Sequence, residues 1–261
     1  MRTIRKATVF GAVVALAATA AMGANAQTFL EQAIEHRFQL DFHVPDAALQ
    51  KMLPAGWEPA IAAMGPAKDC NLRMIFIDRV DVLGMDGRPL GNGKGETRLV
   101  YLAIPVKQSA GSATGQMIIG GLTEDAGDAP GAFGVYKRAT TAKMSRSVDS
   151  SGAAVVVDEN WEFAIPGAEH MSVHVKYERA PAVKGGGEVR FFNPSDPSKY
   201  QIFKTEQVID IARNVTTTPP DRVKEFSYSA GGGAIGALFD GTEKVLSWDS
   251  FPWYSRTVMA P

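Results

Sequence analysis

Two adjacent cations, Lys137 and Arg138, stand in GAFGVYKRATTAK (Gly131 to Lys143), a stretch with the aromatic and β-branched composition of a half-buried strand. A lysine amine attacks a carbonyl only when neutral, and an ordinary lysine titrates near about 10.4. Burial among apolar groups, or a neighbouring cation, lowers that value by disfavouring the charged form. Adjacent strand residues point to opposite faces, so if Lys137 were such a nucleophile, desolvation would have to contribute more than repulsion from Arg138. Outside such a site, a lysine of an antiparallel strand lies on the wet face, and a following arginine merely blunts an edge.

Other reactive arrangements are poorly supported. The sequence contains no His-Glu-x-x-His, no Gly-x-Ser-x-Gly and no phosphate loop, and the glycines of SAGGGAIG (Ser229 to Gly236) read as a turn. His170 and His174 share a strand face with Ser172 and Lys176 and stand roughly 13 Å apart, too far for one metal ion. They read as an exposed polar face, and no metal site is expected. Glu159 and Glu162 fall on opposite faces of their strand, which weakens a paired-carboxylate glycosidase reading. The lone Cys70, in CNLRMIFI, has no partner for an internal disulfide and reads as an inert buried thiol.

The elements that must position Lys137 are mostly strands. HRFQLDFHV (His36 to Val44) alternates, with Phe38, Leu40 and Phe42 on one side and Arg37, Gln39, Asp41 and His43 on the other. NLRMIFIDRVDVL, TRLVYLAIPV, QMIIGGL, AAVVVDENWEFAI, EHMSVHVKYERA, GEVRFFN, DRVKEFSYSA and KVLSWDSFPWYSRTVM continue the series. About ten strands in one series favour a mostly antiparallel barrel or sandwich. A short helix is expected over Ala47 to Met52, capped by Asp46 and ended by Pro54. A second is expected in KYQIFKTEQVIDIAR, where Ile202, Val208, Ile209 and Ala212 could line one face.

The segment GVYKRATTAKMSR (Gly134 to Arg146) resembles the signature of the acetoacetate decarboxylase family, in which a lysine followed at once by a second cation is the nucleophile. PDAALQKMLPAGWEP (Pro45 to Pro59) resembles that family's N-terminal helix ending in Leu-Pro, and LAIPV (Leu102 to Val106) its strand before the lysine. The likeness in order and spacing runs over roughly Pro45 to Arg146. It implies a mostly β fold, a closed or cone-like antiparallel β-barrel with one or two short helices. It also implies a Schiff base on Lys137, with Arg138 in place of the family's second lysine, and decarboxylation or carbon–carbon cleavage of a carbonyl substrate. No cofactor is implied. Tyr101, Phe133 and Tyr136 lie in or near the matched strands as candidate substrate-binding walls; Trp161, Trp248 and Trp253 are further candidates from the unmatched half, where core packing is the favoured role for each. The family's acidic residue before the IPV element has no counterpart, since Leu99 or a neighbour occupies that position. The nearest acid is Glu96, a candidate catalytic group, and the nearest cation is Arg98, a candidate substrate contact, although after GNGKG the two also read as a solvated pair. The missing acid keeps a second reading open: a non-catalytic barrel that binds a small apolar or aromatic ligand.

Residues 1–26 read as an export signal, with basic Arg2, Arg5 and Lys6, an apolar run from Val9 to Met22, and Ala24-Asn25-Ala26 for cleavage. The expected mature chain, residues 27–261, is a single domain destined for a bacterial periplasm, with no membrane span once the signal is removed. Cleavage leaves 24 basic against 28 acidic residues, a balance of −4 that argues against nucleic acid as a partner. A small molecule is the expected partner, and a homo-oligomer is allowed.

Overall fold

The computed structural model describes residues 27–214 and 222–261, with the side chains of 211–214 excepted, so the expected export segment lies outside the described residues. Thirteen strands are described: β1 (Thr28–His43), β2 (Trp57–Pro59), β3 (Leu72–Gly84), β4 (Thr97–Gln108), β5 (Thr114–Thr123), β6 (Tyr136–Arg138), β7 (Thr141–Asp149), β8 (Val156–Ala164), β9 (His170–Glu178), β10 (Val183–Asn193), β11 (Asp196–Asn214), β12 (Val223–Gly231) and β13 (Lys244–Ala260). One short helix, α1 (Asp46–Gln50), and two 3-10 turns, Ala132–Gly134 and Gly233–Leu238, complete the regular structure. None of the described helices is long and apolar enough to cross a membrane.

Strands β4, β3, β1, β13, β11, β10 and β5 hydrogen-bond in that order, and β5 returns to β4, closing a seven-stranded barrel. Pairing is antiparallel except where β5 meets β10 and β6 in two short parallel contacts. Strands β12, β9, β8 and β7 form a separate antiparallel sheet. The expected closed β-barrel is the fold observed.

Two local expectations are corrected. KYQIFKTEQVIDIAR is strand throughout its described length, part of β11, because both edges find partners in β10 and β13. Its Val and Ile residues suit a pleated surface at least as well as a helix. At α1 the cap position is Pro45, without a side-chain cap, while Asp46 accepts a 2.9 Å hydrogen bond from the Asn71 amide.

Alternation divides the barrel strands sharply. Phe38, Leu40, Phe42, Met74, Phe76, Val100 and Leu102 point outward into an apolar layer shared with Trp161, Phe163, Val173 and Val175 of the second sheet. Each large side chain so buried contributes roughly 1.5–3 kcal/mol. Glu159 is buried in this layer too, but it is satisfied by His36 Nε2 (3.2 Å), Arg146 Nε (3.0 Å) and Trp161 Nε1 (3.2 Å). Burial alone would raise its pKa, and the contacts with His36 and Arg146 bring it below the ordinary carboxylate value. The outer face of the second sheet is polar as expected, with His174 on Asp158 and His170 on Ser229.

Candidate functional site

The inward-facing positions of the same strands build a lumen that is only partly apolar. Ile75, Ile77, Leu99, Tyr101, Tyr136, Phe191, Phe203 and Val258 supply its apolar wall. Across it runs an alternating row of charges. Arg37 Nε donates to Glu35 (2.5 Å), Glu35 also accepts from Arg256 Nε (2.9 Å), Arg256 Nη2 donates to Glu31 (2.5 Å), and Arg79 Nη1 lies 3.3 Å from Glu31. Strand register explains the row: Glu35 faces Arg79 across β1 and β3, and Ala33 faces Arg256 across β1 and β13.

Each glutamate lies between two arginines, so the row ends in a cation on both sides and carries three positive charges against two negative. Burial would raise the Glu35 pKa, but Arg37, Arg256 and Arg79 together hold it below the ordinary value. The Arg37 guanidinium also stacks 3.6 Å above the Tyr254 ring, and that of Arg256 lies 4.8 Å from the centre of Phe203. Arg79 Nε is buried without a hydrogen-bond partner among the described residues. At the rim Asp128 is exposed and held by the backbone amides of Gly91 and Asn92.

Arg37, Tyr101 and Phe203 form a waist between two chambers. One, of about 200 Å³, is lined by Glu31, Arg79, Arg256 and Tyr136; the other, of about 380 Å³, by Gln39, Arg73, Gln116 and Asp249. Among the described residues no group of His, Cys, Asp and Glu could hold a metal ion.

No family model matches the chain, and no curated protein matches it. Solved structures do. An acetoacetate decarboxylase-like enzyme from Sphingomonas wittichii RW1 superposes with a TM-score of 0.54 at 14% identity, covering 90% of this chain and 94% of that one. The enduracididine biosynthesis enzyme MppR complexed with pyruvate superposes with a TM-score of 0.52 at 12% identity, covering 92% of this chain and 91% of that one. The chain has the acetoacetate decarboxylase-like fold.

Within this acetoacetate decarboxylase-like barrel, Lys137 does not face the lumen. Its side chain is 58% exposed and its Nζ lies 2.5 Å from the buried Glu169 carboxylate, just ahead of β9. The expectation of a desolvated amine is corrected here, and the reason is local. Tyr136 fills a slot made by two glycines: a Cβ on Gly131 would lie 1.6 Å, and one on Gly121 2.7 Å, from its ring atoms. With Tyr136 inside and stacked on Tyr101 at 6.0 Å, alternation sends Lys137 outward. Burial pushes the Tyr136 and Tyr101 hydroxyls up in pKa, so both remain neutral donors.

Of the other expected site residues, Tyr101 and Tyr136 line the lumen, and Phe133 packs at its edge. Arg138 is exposed at the end of β6. Arg98 turns away from the lumen to meet Asp78 (3.3 Å), Glu124 (3.2 Å) and Glu96 (4.0 Å), and the Glu96 side chain is half exposed. The structure therefore does not bring Lys137, Arg138, Glu96 and Arg98 together. Leu99, one residue on from Arg98, faces the smaller chamber. Trp161 and Trp248 are core and Trp253 is exposed. The lumenal charges Glu31, Glu35, Arg37, Arg79, Arg256 and Asp249 were not singled out from sequence. Their signal was present in the polar side of β1, where Arg37 and Gln39 alternate with phenylalanine and leucine.

Proposed function

We propose that the barrel lumen binds a small organic anion non-covalently, outside the cytoplasm. The observation that carries this reading is the row of three arginines against two glutamates beside a cavity. A surplus cation in a partly dry interior is costly unless an anion joins it, and a guanidinium offers paired donors to a carboxylate. MppR, with the same fold, is complexed with pyruvate, a small carboxylate. The tyrosine hydroxyls of the smaller chamber add neutral donors. The export-signal pattern of residues 1–26 supports a periplasmic location.

Schiff-base lyase chemistry at Lys137 rests on the sequence resemblance alone, and the outward, ion-paired placement of that amine counts against it. The test is calorimetric titration of the mature chain with short- and medium-chain carboxylates, run alongside borohydride trapping with β-keto acids. Saturable carboxylate binding that weakens in Arg37→Met, with no reduced adduct at Lys137, is the expected result. An adduct mapped to Lys137 would overturn this reading.

A further inference from the structure

The larger chamber differs from the charged row in having one acid too many. Arg73 Nε lies 3.4 Å from Asp41, whose oxygens also accept from Gln39 Nε2 (2.9 Å) and Ser247 Oγ (2.6 Å). Asp210 is held by Arg222 Nη2 (2.8 Å) and the Ala180 amide (3.2 Å), and Glu188 by Lys204 at 3.6 Å. Asp249 has no such partner. It is 9% exposed, lines the chamber opposite Gln39 in the strand register, and its Oδ1 is buried with no hydrogen bond among the described residues. Gln116 Oε1, in the same chamber wall, is likewise a buried acceptor without a donor.

We propose that this chamber takes the cationic end of a bipolar ligand, an ω-amino acid whose ammonium meets Asp249 and Gln116 while its carboxylate meets the arginine row. The inference rests on the anion-binding reading above and adds the second pole. Gln39 and Arg37 are two residues apart on β1, roughly 7 Å. The two ligand charges are therefore separated by several bonds and do not sit on one carbon.

The free protein fits this assignment. Burial first, then the like charges of Asp41 and Asp210, raise the Asp249 pKa well above the ordinary value, with Arg73 offsetting part of the rise. An arriving ammonium makes the carboxylate form favourable, so the Asp249 proton goes to solvent and a buried ion pair forms.

The experiment compares 6-aminohexanoate with hexanoate by titration calorimetry near neutral pH, in two buffers of different ionisation enthalpy. Wild-type protein is expected to bind the amino acid at least roughly tenfold more tightly and to release a proton that hexanoate binding does not. Asp249→Asn is expected to bind the two equally and release none; Gln116→Leu, which leaves the carboxyl in place, is expected to lose only part of the preference. Hexanoate bound as tightly as 6-aminohexanoate by wild-type protein would overturn the bipolar assignment and leave anion binding standing. Failure of both ligands to bind would overturn the two readings together.

Discussion

The two faces of the barrel wall come from the same strands and obey opposite rules. Outward positions of β1, β3 and β4 meet a second sheet and are almost all apolar, and the buried acid that this second sheet brings to the shared layer, Glu159 of β8, is satisfied from several sides. Inward positions meet one another across a cavity, where five charges interlock and Arg79 Nε, Gln116 Oε1 and Asp249 Oδ1 find no partner among the described residues. Close packing against a sheet tolerates few unmatched polar atoms, because each costs about 1–3 kcal/mol. A lumen that admits a ligand can carry several and have them matched on binding. The contrast separates the face that stabilises the fold from the face proposed to take a guest.

That contrast can be broken from either side. Trp161→Ala, in the apolar layer, is expected to cost near the upper end of about 3–5 kcal/mol, since it opens a cavity and also removes a donor from Glu159. Chemical denaturation would measure it. Glu35→Gln, in the lumen, is expected to cost about 3 kcal/mol by leaving Arg37 and Arg256 buried without their shared anion. A saturating carboxylate should recover part of this loss, which no ligand would do for Trp161→Ala.

A gentler probe is pH. The folded chain keeps the Asp249 proton to higher pH than the unfolded chain does, so this contribution is fully present below the ordinary aspartate pKa and is lost as pH rises through the folded value. Asp249→Asn is expected to remove that slope and raise stability on the neutral side, as read by urea unfolding across a pH series. The smallest effect is expected at Lys137→Ala. The amine of this pair is mostly exposed but its carboxylate is buried, so the loss is expected at about 1 kcal/mol, above that of a surface pair, and carboxylate binding should be unchanged in the variant.

Much of the architecture was legible in the sequence. The alternation of HRFQLDFHV, the TRLVYLAIPV strand and the turn spacing led to a mostly antiparallel barrel or sandwich, and the family resemblance led to the closed barrel. The lumen was harder to see, because a strand with one polar face ordinarily turns that face to water. Only ring closure by β5 and β4, a contact between whole strands, turns Arg37 and Gln39 inward. Lys137 misled for a related reason. Motif spacing located the segment, but which side of it faces the cavity depends on Gly121 and Gly131, which stand ten residues apart and meet only around the Tyr136 ring. The strand character of β11 was hidden because its Val and Ile residues suit either state, and pairing on both edges, with the preceding strand β10 in a hairpin and with the C-terminal β13, decides it.

The glycine slot also has a use for the engineer. Position 136 is already walled in by aromatic rings and guanidinium groups, so a lysine introduced there would have its amine stripped of water and set near Arg37, Arg79 and Arg256, whose charges outnumber the glutamates of the row. Both influences favour the uncharged amine. The scaffold thus offers a place to install carbonyl-trapping reactivity by exchanging a single side chain, with the native protein as the comparison.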